Sequence, residues 1–194
     1  EARTSLNAKA IDLLLTDINT VDGDVLELLA ASLDGARRFQ HAFVVINRQE
    51  TWVLMNLRDL SVDGVFDASS EDSARFDLAL RAIAMGQTYW SPSVLERLHS
   101  RTNLSNPFWL WLTPTEQLVL AVVGDGSDDQ AAAQQLDMKP SAVQSVRRSI
   151  HRKLGLRHRG DIIRFAAQSG FVNFMPGSIL HPGLSILLSL RRSR

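Results

Sequence analysis

Residues 112–172 read LTPTEQLVLAVVGDGSDDQAAAQQLDMKPSAVQSVRRSIHRKLGLRHRGDIIRFAAQSGFV, and their pattern predicts four short helices. The segment opens on Thr113-Pro114-Thr115-Glu116, a Thr-x-x-Glu capping box. Its proline stands at the first helical position, where a missing N–H costs nothing. Apolar residues then run from Leu118 to Val123, and Gly124-Asp125-Gly126 ends the first helix.

The next two predicted helices are joined by a tight turn. Asp128 or Asp129 caps an alanine-rich helix that extends to about Leu136. The turn Asp137-Met138-Lys139 follows, and Pro140 starts the third helix. Two helices joined in this way form a helix-turn-helix, whose second helix can enter the major groove of DNA.

The third predicted helix has two chemically different sides. At 100° per residue its apolar residues fall on one narrow stripe that faces the core: Val143, Val146, Ile150 and Leu154. The opposite side and its flanks are polar and cationic: Ser141, Gln144, Ser145, Arg148, Arg152, and beside them Arg147 and His151.

Such a face suits groove reading, because arginine pairs bidentately with guanine, glutamine pairs with adenine, and other cations neutralise phosphates. We predict base contacts from three residues: Gln144, Ser145 and Arg148. Phosphate contacts are expected from four cations, with Ser141 as a further polar contact: Lys139, Arg147, Arg152 and Lys153. The alternative is a merely solvated basic helix, which is what a run of charge usually is.

The segment resembles the LuxR/NarL-type helix-turn-helix over its whole length. The matching residues are Leu112-Thr113-Pro114-x-Glu116, Val143, Arg147, Ile150, Arg152-Lys153-Leu154-Gly155-Leu156 and Gly170-Phe171-Val172. The resemblance implies an all-α tetrahelical DNA-binding domain that often dimerises through its fourth helix, here about Asp161–Ser169. The usual Thr-Val-Lys of the recognition helix is Ala142-Val143-Gln144 here, so the DNA target need not match that of the family.

Composition narrows the function classes. The chain has 194 residues, 45% of them hydrophobic, which suits one or two globular domains. It lacks cysteine, metal-like histidine spacing, a glycine-rich phosphate loop and a Gly-x-Ser-x-Gly motif, so we predict no enzyme, no cofactor and no metal site. Without a signal peptide or an apolar run of about 18 residues, we expect a cytoplasmic protein with no membrane contact.

Charge is distributed unevenly along the chain. Residues 1–98 carry nine cations and fifteen acids, whereas residues 99–194 carry twelve cations and six acids. This asymmetry suggests an acidic module joined to one that binds polyanions.

Strand-like and helix-like segments alternate in the N-terminal half. Strands are predicted at Ile11–Ile18, Ala42–Asn47 and Gly64–Phe66, and helices from Val25 to about Phe39, over 50–60 and over 70–86, with the tail of a helix at residues 1–10. This alternation predicts a parallel sheet, whose sites lie beyond the carboxyl ends of its strands. Asp17 and Asn47 lie at two of those ends.

The same half resembles a response-regulator receiver, an α/β flavodoxin-like fold of two-component systems. The resemblance places Asp17 at the phospho-accepting aspartate and Asn47 in the receiver pocket. We therefore divide the chain into an atypical receiver-like domain (1–86), a linker helix with an aromatic connector at Phe108–Trp111 (87–111), the helix-turn-helix domain (112–172) and a tail (173–194).

Several departures set this receiver apart. The first receiver strand, with its acidic pair that binds Mg²⁺, has no counterpart, so we expect a degenerate, N-terminally incomplete receiver: either the chain is a fragment or its sheet is completed by other means. No lysine lies between Lys9 and Lys139. Phosphoryl transfer to a carboxylate needs Mg²⁺ and a cation to offset charge on the phosphoryl oxygens. We therefore favour Asp17 as a strand-end acid that caps the following turn over a working phosphosite.

The leading hypothesis is a transcription regulator that binds double-stranded DNA as a homodimer, independently of phosphorylation. Two alternatives stay open: an antagonist that heterodimerises with another regulator without reading DNA, and a regulator whose pseudo-receiver senses a ligand. RNA polymerase or another regulator is a candidate further partner. For the tail, a docking helix, a dimer contact and a basic arm all remain open.

Overall fold

The computed structural model describes residues 11–20, 23–33, 39–60, 62–102 and 111–192, which fall into two units, Glu1–Asn103 and Leu104–Arg194. The N-terminal unit contains the predicted α/β alternation. Its elements are β1 (Ile11–Asp17), α1 (Val25–Leu33), β2 (Phe39–Ile46), α2 (Thr51–Asp59), β3 (Gly64–Asp67), α3 (Ser73–Ala84), β4 (Tyr89–Trp90) and α4 (Pro92–Thr102).

The sheet is parallel throughout, with the strands in the order β1-β2-β3-β4. All four residues of β3 are buried, and because side chains alternate along a strand, β3 is covered on both of its faces. Phe43 and Phe66 pack there with Ala79 and Ile83 of α3, and the Phe76 ring stacks on Phe43 at 5.7 Å between ring centroids. The predicted receiver-like α/β architecture is confirmed.

Strand β2 begins earlier than the sequence indicated. The predicted helix from Val25 to about Phe39 is wrong at its end, because the described helix α1 stops at Leu33 and Phe39 already belongs to β2. Phe39 is buried and pairs with Ile11, so β2 matches β1 along its full length. Pairing with a neighbouring strand, which a local pattern does not contain, sets this boundary.

The segment predicted to be a linker contributes two elements to the N-terminal unit. Tyr89 and Trp90 form β4, parallel to Gly64 and Val65 of β3. Helix α4 packs against α2 and β3, with Val94 fully buried. A strand of two residues is too short to show a hydrophobic period, which is why the sequence did not reveal it. Residues 1–10 and connector residues 108–110 lie outside the described residues, whereas Trp111 is described and exposed.

The C-terminal unit contains the four predicted helices and a further pair of elements. They are α5 (Pro114–Val123), α6 (Asp129–Gln135), α7 (Pro140–Leu154), α8 (Arg159–Ser169), the antiparallel hairpin β5 (Asn173–Met175) and β6 (Ser178–Leu180), and α9 (Leu184–Arg192). The predicted capping box of Thr113 and Glu116 is present, and Asp128 caps α6. Gly155 and Gly170 end α7 and α8 with φ of 66° and 88°, a left-handed conformation that favours glycine.

Of the three options for residues 173–194, the described part supports a docking helix. Helix α9 packs on α5 and buries Leu187. No helix in the described ranges is long and apolar enough to cross a lipid bilayer.

The close contact between the end of α5 and α8 leaves no room for a side chain at Gly124. A Cβ at Gly124 would lie 2.3 Å from the Cβ of Ala166, a distance that real side chains do not adopt. We predict that Gly124→Ala lowers the free energy of unfolding of the C-terminal unit by about 1–3 kcal/mol, through overpacking. Urea unfolding followed by circular dichroism measures the change.

Gly160→Ala is the matched control, because Gly160 lies in α8 with nothing within 4 Å of an added Cβ. It should be neutral or stabilise by up to about 1 kcal/mol, as expected for glycine-to-alanine in a helix. Equal effects of the two substitutions would contradict the close approach at Gly124.

Candidate nucleic-acid interface

Helix α7 is anchored by its apolar stripe. Val143 and Ile150 are fully buried, and Val146 and Leu154 are partly buried. The helix packs against α5 and α6 through this side. The opposite side of α7 is consequently held at the surface of the unit.

The exposed side gathers most of the predicted contact residues. Those whose side chains are exposed are Lys139, Ser141, Gln144, Ser145, Arg148 and Arg152. Lys139 is the N-cap residue of α7 and makes no side-chain cap bond. Within the described ranges, Gln144, Ser145 and Arg148 make no side-chain hydrogen bond to the protein, so their polar groups are available to a ligand.

Arg147 is placed differently from its exposed neighbours. Its Nε and Nη2 donate to the two carboxylate oxygens of Asp129, at 2.8 and 2.7 Å. This bidentate pair joins the middle of α7 to the first turn of α6. The hydrogen bonds from Arg147 lower the pKa of Asp129, and the same contact raises the pKa of Arg147. Its guanidinium is therefore already engaged by the protein.

Lys153, in the last turn of α7, is also bound by groups of the same unit. Its Nζ donates to Glu116 Oε2 and to the carbonyl oxygen of Trp111, both at 2.7 Å. Glu116 additionally accepts from the backbone N–H of Thr113 on Oε2 and from Ser149 Oγ on Oε1, each at 2.7 Å. One carboxylate thus caps α5 and binds two residues of the last turns of α7.

Glu116 carries its charge in a buried position, with 7% of its side chain exposed. Burial by itself would raise the pKa of this carboxyl. The hydrogen bonds from Lys153, Thr113 and Ser149 outweigh burial, and the pKa lies below its ordinary value of 4.5. Satisfied hydrogen bonds and a cationic partner are what make a buried carboxylate tolerable.

The sequence did not indicate the partners that hold α7. Glu116 was interpreted only as a capping residue, and Asp129 as an alternative cap for α6. The sequence signal for these partners is that two acids, Glu116 and Asp129, occur in the helices that precede one rich in arginine and lysine. Which cation each acid binds depends on how the helices cross.

In the N-terminal unit, the two predicted pocket residues are linked through a third. The backbone N–H of Asn19 donates to Asp17 Oδ1 at 2.7 Å, and Asn19 Nδ2 approaches Asn47 Oδ1 at 3.4 Å. Asp17 is exposed at the carboxyl end of β1. Its carboxylate thus makes the turn-capping contact expected of an acid at a strand end.

A third polar residue at this edge, Asp67, was missed by the sequence analysis. Asp67 is fully buried at the end of β3 and accepts from Gln49 Nε2, Ser93 Oγ and Ser69 Oγ at 2.6–2.9 Å. Burial raises its pKa, but these hydrogen bonds outweigh burial and lower the pKa to about 2. Ser93 lies in the first turn of α4, so Asp67 fastens that helix to the sheet.

No group of three or more His, Cys, Asp or Glu side chains that could hold a metal ion occurs among the residues described.

We predict that Glu116→Gln weakens the C-terminal unit at neutral pH by about 1–3 kcal/mol, since Lys153 loses its counterion. Because the folded pKa is lowered, the carboxylate stabilises the fold above pH 4.5, and this stabilisation is lost as pH falls through the folded pKa. The stability gap between the wild-type protein and the variant should therefore close below pH 4.5.

Hydrogen exchange of backbone amides in α5 and α7 measures this gap within the correct unit. Glu96→Gln makes the same chemical change at an exposed position in α4 and should leave the exchange rates unaltered. A gap that stays constant from pH 7 to acid pH would argue against an ionised Glu116 as the anchor of α7.

Comparison with known families supports the fold of the C-terminal unit. A model of the family described as "Bacterial regulatory proteins, luxR family" matches residues 110–166, which span α5 to α7 and most of α8. These residues form a LuxR-type helix-turn-helix domain.

Two relatives match longer parts of the chain. The transcriptional regulatory protein DesR of Bacillus subtilis is 30% identical over 105 residues, which are 54% of this chain and 48% of DesR. The transcriptional regulatory protein MctR of Rhizobium johnstonii is 26% identical over 119 residues, 60% of this chain and 49% of MctR. The chain spans about half the length of the curated relatives it matches.

Solved structures of a response regulator share the fold. RcsB from Salmonella enterica serovar Typhimurium, bound to the promoter rprA, superposes with a TM-score of 0.55 at 18% identity and covers 84% of this chain and 78% of RcsB. A structure of two RcsB dimers bound to two parallel DNAs gives a TM-score of 0.50 at 19% identity and covers 86% and 80%.

Proposed function

We propose that this chain is a transcription regulator that binds double-stranded DNA through the exposed side of α7. The observation that carries the proposal is the division of cations on that helix. Its apolar stripe packs inward, two of its cations are engaged by acids of the same unit, and five further polar side chains form one exposed face: Ser141, Gln144, Ser145, Arg148 and Arg152. A helix that reads the major groove must be held in a fixed orientation and must present exposed polar and cationic side chains.

Within this proposal the exposed residues divide into two roles. Gln144, Ser145 and Arg148 lie between the second turn and the middle of α7 and would contact base edges. Lys139 and Arg152, at the two ends of the exposed side, would contact phosphates on either side of the groove, and Ser141 adds a polar contact near Lys139. Arg148 would recognise guanine, because its guanidinium can donate to O6 and N7 of that base together.

Arg147 and Lys153, which the sequence analysis assigned to phosphates, take a different role. Each is held by an acid of the same unit, at 2.7 Å in both cases. We assign them as positioning residues that fix the angle of α7 on α5 and α6. The Arg147–Asp129 pair is partly exposed and by itself adds little stability, so its main contribution is the helix geometry that it imposes together with the buried stripe.

The functional form is proposed to be a homodimer. One short recognition helix reads only a few base pairs, so useful specificity requires two protomers on adjacent half-sites. RcsB, whose fold this chain shares, is found as dimers on DNA, which supports the same arrangement here.

We further propose that DNA binding does not depend on phosphorylation of Asp17. The contact that Asp17 makes is with the backbone N–H of Asn19, a neutral donor. The buried carboxylate at the end of β3, Asp67, is satisfied by neutral side chains of Gln49, Ser69 and Ser93. Phosphoryl transfer to a carboxylate is helped by cations at the reacting group, whereas the hydrogen bonds that Asp17 and Asp67 accept among the described residues come from backbone, hydroxyl and amide groups.

The base-reading role predicts different behaviour for two arginines of one helix. Arg148→Ala should cost about 1–3 kcal/mol of binding free energy and relax the sequence preference at one position of each half-site. Arg152→Ala should weaken binding to all sequences alike and leave the preference unchanged. Both effects can be measured as dissociation constants on duplexes recovered by selection from a random pool.

An unchanged sequence preference for Arg148→Ala would mean that α7 is oriented differently on DNA. Failure to recover any preferred duplex would favour the competing function, an antagonist that pairs with another regulator.

Phosphorylation independence is tested with a small-molecule phosphodonor and Mg²⁺. We expect the dissociation constant of the wild-type protein on its selected duplex to stay the same with and without the donor, and Asp17→Asn to bind equally well. Binding that tightens with the donor, and does so only while Asp17 is present, would show that the pocket works.

A further inference from the structure

Residues 173–192 lie beyond the matched segment 110–166, and their packing has a consequence for DNA binding. The hairpin β5–β6 leads into α9, which packs along α5. Leu187 is buried in this contact, and His181 Nε2 lies 3.1 Å from Asp125 Oδ2 with both side chains mostly buried. Helix α9 therefore has a fixed position on the helix-turn-helix domain.

The last turn of α9 reaches the turn that precedes the recognition helix. Arg191 Nη1 donates to the carbonyl oxygen of Leu136 at 2.6 Å. Leu136 is the C-cap of α6, and the turn through Lys139 separates it from Pro140, the first residue of α7. The guanidinium of Arg191 thus lies beside the turn of the helix-turn-helix.

Arg191 keeps hydrogen-bonding capacity at this place. A guanidinium carries five N–H donors, and the bond to Leu136 is the one it makes within the described part of the unit. The residue is exposed at the surface of the unit.

A cation at this turn lies where phosphates are expected. When the N-terminal part of a recognition helix enters the major groove, about 12 Å wide, the preceding turn lies at the rim, beside the sugar-phosphate backbone. Arginine is well suited to phosphate, since two of its N–H groups can bind one phosphate in parallel.

We propose that α9 is part of the DNA-binding surface and that Arg191 binds a backbone phosphate next to the one bound by Lys139. This inference rests on the proposed function, DNA binding through α7. It adds a contact that lies outside the helix-turn-helix and carries no sequence information. Its effect is to raise affinity and salt sensitivity on every duplex equally.

A simpler role for Arg191 is to cap the C-terminus of α6, where a cation and an N–H donor stabilise the free carbonyl and the helix dipole. That role affects folding and leaves the salt dependence of DNA binding alone. Salt dependence therefore separates the two roles, because each phosphate contact adds about 0.9 to the slope of log affinity against log salt.

The experiment uses the whole 194-residue chain and its selected duplex, with dissociation constants measured over a range of salt concentrations. For Arg191→Gln we expect the slope to fall by about 0.9 for each bound protomer, with the ranking of sequences unchanged. Arg97→Gln removes the same charge from an exposed position in α4 and should keep the wild-type slope. A wild-type slope for Arg191→Gln would overturn the inference.

A second measurement does not depend on the folding of Arg191→Gln. The chain has no cysteine, so Leu190→Cys, at an exposed position of α9 beside Arg191, provides a single attachment point for an iron chelate that cleaves nearby DNA. We expect cleavage of the backbone at the rim of each half-site, and an uncut duplex would overturn the inference. If the wild-type protein binds no duplex in a salt-sensitive way, the proposed function itself fails. If it binds and only the Arg191 and Leu190 results are negative, the inference fails alone.

Discussion

The C-terminal unit depends on one buried carboxylate. Glu116 lies at the start of α5, where it completes the capping box with Thr113, and it also binds Ser149 and Lys153 near the end of α7. A buried carboxylate is tolerated only when its oxygens accept hydrogen bonds. If α5 and α7 shifted independently, the buried charge of Glu116 would lose its partners, which is costly. The angle at which α7 is presented therefore follows from the same contact that begins α5.

A second ion pair also fixes the position of α7 and reduces the number of unpaired cations on this helix. Arg147 binds Asp129 bidentately, so α7 is fixed to α6 as well as to α5. Charge that is neutralised within the unit attracts DNA weakly, whereas the unpaired cations retain their field. The positive face of this helix is accordingly smaller than its count of arginines and lysines suggests. Its orientation on the unit is fixed, because the paired residues tie α7 to α5 and α6.

The N-terminal unit satisfies its carboxylates in another way. Asp67 is buried and ionised, yet its partners are neutral side chains that join β3 to the start of α4 and to the loop before α2. Asp17 is exposed and caps its own turn through Asn19. Polar groups at the carboxyl ends of these strands thus act mainly in holding the sheet and its helices together.

Local patterns in the sequence were sufficient for the elements whose boundaries are local. The capping box at Thr113, the buried stripe through Val143 and Ile150, and the alternation of strands and helices follow from spacing that any short segment carries within itself. The start of β2, the two-residue strand β4 and the pairing of Arg147 and Lys153 with acids could not be obtained in this way. Each depends on residues far apart in the chain that meet only after folding, and a count of charges does not distinguish a cation facing solvent from one facing an acid.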